Sequence, residues 1–225
     1  MQELGPRPTL ADRTAARVVA FWREWVTRPA SDAVSLVAIG EHRLMSAPTL
    51  LRRRLEGIPF TVGALVEALG DDLVELVGEA RLAYGDAGTL RLVPTDDVIE
   101  IPDTDQRLAA LRENADPFDW RESAQDEPGA ARFGVIEDGA LLAAANVQLW
   151  GDTIGRLGVF TAAHVRRSGL GSKVGSAGAR FSLELGSIPQ WRSRITNLDS
   201  ARVAERLGFV VVGRQIYARV RVAER

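Results

Sequence analysis

Apolar residues recur at helical spacing near the start of the chain, where Ala15, Val18, Trp22 and Trp25 share one face over residues 12 to 27. That period predicts an amphipathic helix, which Pro29 stops. The apolar run from Val34 to Ile39 predicts a strand, and residues 49 to 55 and 62 to 80 predict helices, the second broken near Gly70. Strand pattern returns at residues 90 to 93 and 98 to 101, followed by a helix over 105 to 113. Residues 114 to 129 are rich in Asp, Pro, Glu and Gly, which predicts a linker or mobile loop and the softest boundary in the chain.

Beyond that boundary the period shifts towards strands. Residues 131 to 136 and 141 to 149 flank Asp138-Gly139, a dipeptide suited to a tight hairpin turn. A third strand over 154 to 161 runs into a glycine-rich loop. Val174, Ala177, Phe181 and Leu185 then lie on one helical face between residues 171 and 185. A strand at 191 to 195, a helix at 200 to 207 and strands at 209 to 212 and 215 to 222 close the pattern. This order predicts an α/β (α+β) fold with a mixed, mostly antiparallel central sheet flanked by helices. Residues 126 to 225 form its core, and residues 1 to 125 a mainly helical extension or degenerate half.

Composition narrows the chemistry. The 225 residues are 46% hydrophobic, enough for a sizeable core. No apolar run reaches the roughly 20 residues needed to cross a bilayer, and the opening MQELGPRPTLADR lacks the charged and apolar regions of a signal peptide. The expectation is a cytoplasmic protein. With no Cys and two His, His42 and His164, neither thiolate catalysis nor a multi-His metal site is available. The net charge of −2 is uneven: residues 161 to 225 carry 12 Lys/Arg against 4 Asp/Glu. These basic residues are dispersed among apolar positions, which fits a small phosphorylated ligand better than nucleic acid.

The informative segment joins a strand, a glycine loop and a helix start: Leu157-Gly-Val-Phe-Thr-Ala-Ala-His-Val-Arg-Arg-Ser-Gly-Leu-Gly-Ser-Lys. The first N–H groups of a helix have no internal partner and sit at the positive end of its dipole, so phosphate oxygens can accept from them. Gly169 and Gly171 allow close backbone approach, while Arg166 and Arg167 add charged donors. A Walker loop does not fit, because Ser172 separates Gly171 from Lys173. A dinucleotide fingerprint does not fit either, because Val174 stands where a third small residue belongs.

Arg166-x-x-Gly169-x-Gly171, preceded by Val159-Phe160-Thr161, resembles the pyrophosphate-binding signature of the GNAT acyltransferase superfamily. About 30 residues downstream, Asn197-x-x-Ser200-x-x-x-Ala204-x-x-Leu207-Gly208-Phe209 resembles that superfamily's Asn-led helix and Leu-Gly-Phe turn. The resemblance spans roughly residues 131 to 222. It implies acetyl-CoA as cofactor, with no metal. The backbone of Val159, Phe160 and Thr161 would pair with the pantetheine arm where the strand splays from its neighbour. Amides from Arg167 through Ser168, Gly169, Leu170, Gly171 and Ser172 would hold the pyrophosphate, with Asn197 and Ser200 near the reactive end. On residue type alone, Asn197 serves equally as a helix cap and Ser200 as an exposed polar residue. The leading region, similar to that of some larger members, either walls the acceptor pocket or is a degenerate second copy of the fold.

The reaction so implied is N-acetylation of a primary amine, on a small molecule or a peptide, by direct attack on the thioester. At pH 7 an alkylamine is only about one part in 10³ neutral, so a base or water chain is useful. Glu122, in Asp-Trp-Arg-Glu, is the candidate base, and Ser200 a further catalytic candidate. Many relatives carry a Tyr acid where Ala204 stands, which keeps a non-catalytic acyl-CoA sensor as the alternative. Trp120, Trp150 and Trp191 serve either an acceptor pocket or the core. Tyr217 is expected to pack on the last strand and His164 to be exposed. The expected partners exclude nucleic acid and membrane and admit a homodimer.

Overall fold

The computed structural model of the chain describes residues 9–28 and 32–221. Pro29, the expected stop of the first helix, and Val222, the expected end of the last strand, lie outside them. The elements in chain order are α1 (Asp12–Trp25), β1 (Ala33–Ile39), β2 (His42–Ser46), α2 (Thr49–Leu55), α3 (Val62–Leu69), β3 (Leu73–Tyr84), β4 (Val98–Glu100), α4 (Gln106–Glu113), α5 (Pro117–Glu122), β5 (Ala131–Glu137), β6 (Ala140–Trp150), β7 (Ile154–Thr161), α6 (Leu170–Glu184), β8 (Ile188–Arg194), α7 (Leu198–Arg206) and β9 (Val210–Val220). They fall into two compact units that interleave in sequence. One combines residues 83–192 and 198–210 with the described residues up to Thr14, and the other Ala15–Leu82, Ser193–Asn197 and the described residues from Val211 on.

In the second unit the strands run β2-β1-β9-β3. Every residue of β1 is buried, so its apolar run is the continuous pattern of a strand covered on both faces. It pairs antiparallel with β9 from Ala33↔Arg219 to Ile39↔Gly213. Leu51 and Leu55 of α2 and Leu65 and Leu69 of α3 close over Val34, Leu36, Ile216 and Ala218. Thr61 caps α3 by accepting from the Ala64 N–H at 3.2 Å. The break expected near Gly70 is present, since Gly70 adopts φ +52° and α3 ends at Leu69, but the helix expected beyond it does not form. Residues 73 to 84 form the long strand β3 instead, and β9 is one strand where two were expected.

In the first unit the strands run β8-β7-β6-β5-β4. β4·β5, β5·β6 and β6·β7 are antiparallel, whereas β7·β8 is parallel. Successive side chains of β7 face opposite sides. Its odd positions face α6: a Cβ on Gly178 would sit 3.0 Å from Leu157, and one on Gly171 3.1 Å from the Thr161 hydroxyl. Its even positions face α4 and α5, where Leu108, Leu111, Trp120, Leu141 and Phe160 share a core. The sheet is thus mixed, mostly antiparallel and flanked by helices, as the sequence predicts.

Two local expectations change. Residues 114 to 129 are not a linker throughout: Asp116 accepts from the N–H groups of Phe118 and Asp119, Pro117 occupies the first turn, and α5 forms. Its Trp120 is buried against Phe160, with ring centroids 5.2 Å apart. Residues 90 to 93 are not a strand but are pinned along α6 and the Leu207-Gly208 turn. Arg91 N–H donates to Leu207 O and Val93 N–H to Ser176 Oγ, and the Arg180 guanidinium donates to Val93 O at 2.9 Å.

Candidate functional site

The site begins where β7 loses one neighbour. Pairing with β8 runs from Ile154↔Ile188 to Leu157↔Trp191 and stops, while pairing with β6 continues to Thr161↔Ala143. Which atoms this leaves open follows from ladder geometry. Ala162 N–H donates to Leu142 O on the β6 side, and Ile188 N–H donates to Thr153 O on the β8 side. Antiparallel residues alternate in the edge towards which they hydrogen-bond. The even residues Gly158 and Phe160 therefore exchange hydrogen bonds with β6. The odd residues Val159 and Thr161 direct their amides and carbonyls to the edge that β8 has left.

The strand leads through a single 3₁₀ turn, Ala163–Val165, into the loop before α6. Arg167 at φ +71° and Gly169 at φ +92° adopt left-handed conformations, which turn the backbone sharply into the helix. Such a conformation is unfavourable for Arg167. Leu170 and Gly171 open α6, so their amides have no acceptor inside the helix, and among the described residues none is supplied from elsewhere. The hydroxyl of Ser168 donates to Val165 O at 2.7 Å. Gly169 O accepts from Ser172 and Lys173. The aligned helix dipole and these open amides suit a bound phosphate. A side chain on Gly171 would crowd the Thr161 hydroxyl, so this glycine lets the start of α6 lie close against the end of β7. Lys173, one turn in, pairs with Asp97, and its hydrogen bond holds the Asp97 carboxyl below its ordinary value.

Of the two guanidinium groups expected at this loop, Arg166 has a partner: it donates to Asp119 Oδ2 of α5 at 2.8 Å and to Thr161 O at 3.4 Å. Arg167 is exposed. Behind the strand, α5 and the turn after it press on β7. A Cβ on Gly158 would lie 2.0 Å from Ser123 O, and Gln125 Nε2 donates to Gly158 O at 2.9 Å. Glu122, the candidate base, ends α5 half-buried, one residue before that contact.

The downstream motif is partly brought to the same place. Ser200 Oγ on α7 accepts from Trp191 Nε1 at 2.9 Å, and Trp191 is the last β8 residue paired with β7. Ala204 is buried with Trp191, Leu207 and Phe209. Asn197 is exposed immediately ahead of α7 and belongs to the other unit. Trp120 and Trp191 are core residues, Trp150 at the end of β6 stacks under Arg156 at 5.4 Å, Tyr217 lies on β9 and His164 is exposed.

Arg132, Asn146 and Gln125, which belong to no sequence motif, are all buried. Asn146 Nδ2 donates to Ala124 O and Glu127 O, each at 2.8 Å. Arg132 donates to Gln125 Oε1, Asp103 Oδ1 and Glu127 O. The available signal was a polar residue inside an apolar strand run, in Ala-Arg-Phe-Gly-Val and Ala-Ala-Ala-Asn-Val. Among the described residues, no group of three or more His, Asp or Glu is placed to hold a metal, and no helix is long and apolar enough to cross a membrane.

The Acetyltransferase (GNAT) family matches residues 95–209, just over half of the chain. The chain belongs to this family. Solved structures agree in fold. A GNAT-family acetyltransferase from Novosphingobium aromaticivorans superposes with a TM-score of 0.54 at 19% identity, over 67% of this chain and 68% of the other. A GCN5-related N-acetyltransferase-like protein from Streptococcus suis reaches 0.54 at 15% identity, over 92% of this chain and 98% of that one. A GNAT-family acetyltransferase from Colwellia psychrerythraea reaches 0.52 at 13%, over 93% and 74%. No curated protein matches the sequence at a significant level.

Proposed function

We propose that the chain is an acetyl-CoA-dependent N-acetyltransferase acting on a primary amine. The observation that carries this reading is the open edge at Val159 and Thr161, which leads directly into the uncapped start of α6. An extended amide-containing arm suits such an edge, as an added strand would, and a diphosphate suits the loop that follows. The pantetheine arm of CoA carries two amides and ends in a diphosphate, so its chemistry matches both features in order.

Acetyl-CoA supplies an acyl group activated as a thioester. The open edge at Val159 and Thr161 holds the arm, with Phe160 between them bonded back to β6, and the backbone from Arg167 to Ser172 holds the diphosphate, with Arg166 beside it. Open N–H groups on β7 can donate to the acyl oxygen as it gains charge. Glu122 is assigned the base that takes the amine's proton, and Ser200, oriented by Trp191, donates towards the sulfur side in place of the absent Tyr. Asn197 enters this reading through the family pattern alone. Acceptors are small-molecule or peptide amines met in the cytoplasm.

Thermal unfolding with and without acetyl-CoA tests cofactor binding. A clear upward shift is expected for the wild type, and its loss in Arg166→Glu and Gly171→Glu. Equal shifts in all three proteins would remove the assigned loop. The buried Ala204 keeps a second reading, a non-catalytic acyl-CoA sensor. Free-thiol release over a panel of amines separates the two, since binding without turnover would favour the sensor.

A further inference from the structure

Behind the open edge lies a chain of buried polar contacts whose end is one particular amide. Arg132 on β5 is 3% exposed and Gln125 4%. Arg132 Nη1 donates to Gln125 Oε1 at 2.6 Å, and Gln125 Nε2 in turn donates to Gly158 O at 2.9 Å. The guanidinium is fixed from its other sides by Asp103 Oδ1 at 2.9 Å and Glu127 O at 3.1 Å. Gln125 also donates to Ser123 O, and Asn146 holds the same turn through Ala124 O. Ala124 keeps its left-handed backbone, φ +53°, inside this clamp.

The Gly158 carbonyl and the Val159 N–H belong to one peptide group. A hydrogen bond accepted at the oxygen withdraws charge from the nitrogen and makes the N–H a stronger donor, and in a water-poor interior such bonds reinforce one another. Gly158 O already faces β6, so Gln125 adds a second donor to that oxygen. Val159 is the first residue beyond the β7·β8 pairing whose N–H points to the open edge. Its donor strength would otherwise be that of an ordinary strand amide.

We infer that Arg132 and Gln125 are positioning residues that polarise the Gly158–Val159 peptide group, so that the Val159 N–H is a strengthened donor to the acyl oxygen of a bound acyl-CoA. The inference rests on the acetyltransferase reading and adds two residues to it. Neither touches the acyl group; both act through the peptide bond. A purely structural role for Gln125 would need only its bonds to Ser123 O and Arg132. The bond to Gly158 O sets up the electronic role.

The test uses two readouts that do not depend on turnover. In the ligand-free protein, the amide nitrogen resonance of Val159 should move in Gln125→Met, because that resonance responds to hydrogen bonding at the preceding carbonyl. With acetyl-CoA labelled with carbon-13 at the acyl carbonyl, the infrared band should lie below its position in water when bound to the wild type. In Gln125→Met roughly 10–30% of that displacement should be lost, the increment that one cooperative bond contributes, while affinity for CoA itself is unchanged. Gln125→Glu keeps the Arg132 partner but turns an acceptor on Gly158 O, so it should show the same loss if the Met variant does not fold. An unmoved Val159 nitrogen, or an identical carbonyl band in either folded variant, overturns the relay. So does a wild-type complex whose carbonyl absorbs as in water. Failure of the wild type to bind CoA would overturn the acetyltransferase reading, and this inference with it.

Discussion

The carboxylate of Asp119 holds the guanidinium of Arg166 at 2.8 Å, so the arginine expected to face a diphosphate is engaged by α5 before any ligand arrives. Both side chains are substantially exposed, and an ion pair of this kind contributes about 0.2–1 kcal/mol. A diphosphate brings more charge to the same guanidinium and can displace the carboxylate, at the cost of that pair. Asp119→Asn should therefore tighten CoA binding by roughly 1.4- to 5-fold at low ionic strength, the range that 0.2–1 kcal/mol converts to. Titration calorimetry of the single and double variants decides it. If the gain persists in an Arg166→Ala background, Asp119 acts by general repulsion and the pair has no part in it.

The back of the strand makes a second, steric prediction. Alanine at Gly158 would put a methyl carbon 2.0 Å from Ser123 O; that carbonyl accepts from Gln125 Nε2, and Asn146 Nδ2 holds the next one, Ala124 O. Neither side can yield without breaking hydrogen bonds. Overpacking of this kind costs about 1–3 kcal/mol, so Gly158→Ala should lower the denaturant midpoint accordingly and abolish acetyl transfer. A variant with wild-type stability would show that the turn after α5 moves freely.

The glycine loop was legible in the sequence because its demands are local: Arg167 to Gly171 carry their conformations and open amides within a few residues. The same holds for β5 and β6, which the Asp138-Gly139 turn marks as a hairpin, and for β1, a short run with Val34, Val37 and Ile39. Residues 73 to 80 were harder, since Leu73, Val74, Leu76 and Val77 satisfy helical and strand periods alike, and only the left-handed Gly70 and the β9 ladder decide between them. α5 was hidden because it is only six residues long, half of them charged, with one buried residue, Trp120. The contact of Gln125 with Arg132 and Gly158 joins residues up to 33 positions apart, and no local pattern announces it.

Acid stability should depend on Asp86. Burial pushes its carboxyl up, but hydrogen bonds from the Ala11, Gly88 and Thr89 amides and the Thr14 side chain together outweigh that and leave it below 3.8. A carboxyl whose folded value is lowered contributes stability that is present above its ordinary value and is lost as pH falls through the lowered one. Asp105, held by Arg107 at about 2, titrates in the same direction. Stability should thus hold as pH falls to about 4 and decline below it. Asp86→Asn should flatten that decline in urea titrations at a series of pH values. An unchanged acid slope would assign the loss to other groups.

Restoring a tyrosine at Ala204 tests whether the missing acid can simply be put back. Ala204 is 5% exposed and packs among Trp191, Leu207 and Phe209, with the Trp191 and Phe209 rings 5.5 Å apart edge to face. Gly175 marks how tight this cluster is, because a Cβ there would meet Trp191 at 2.8 Å. A phenol ring cannot enter without displacing Trp191, and with it the bond from Trp191 Nε1 to Ser200. Ala204→Tyr should therefore cost about 1–3 kcal/mol by overpacking and lower, not raise, any acetyl transfer. Guanidinium unfolding gives the stability, and free-thiol release the rate. A stable variant with faster turnover would show instead that the cluster opens at α7 and that Ser200 is not the group serving the leaving sulfur.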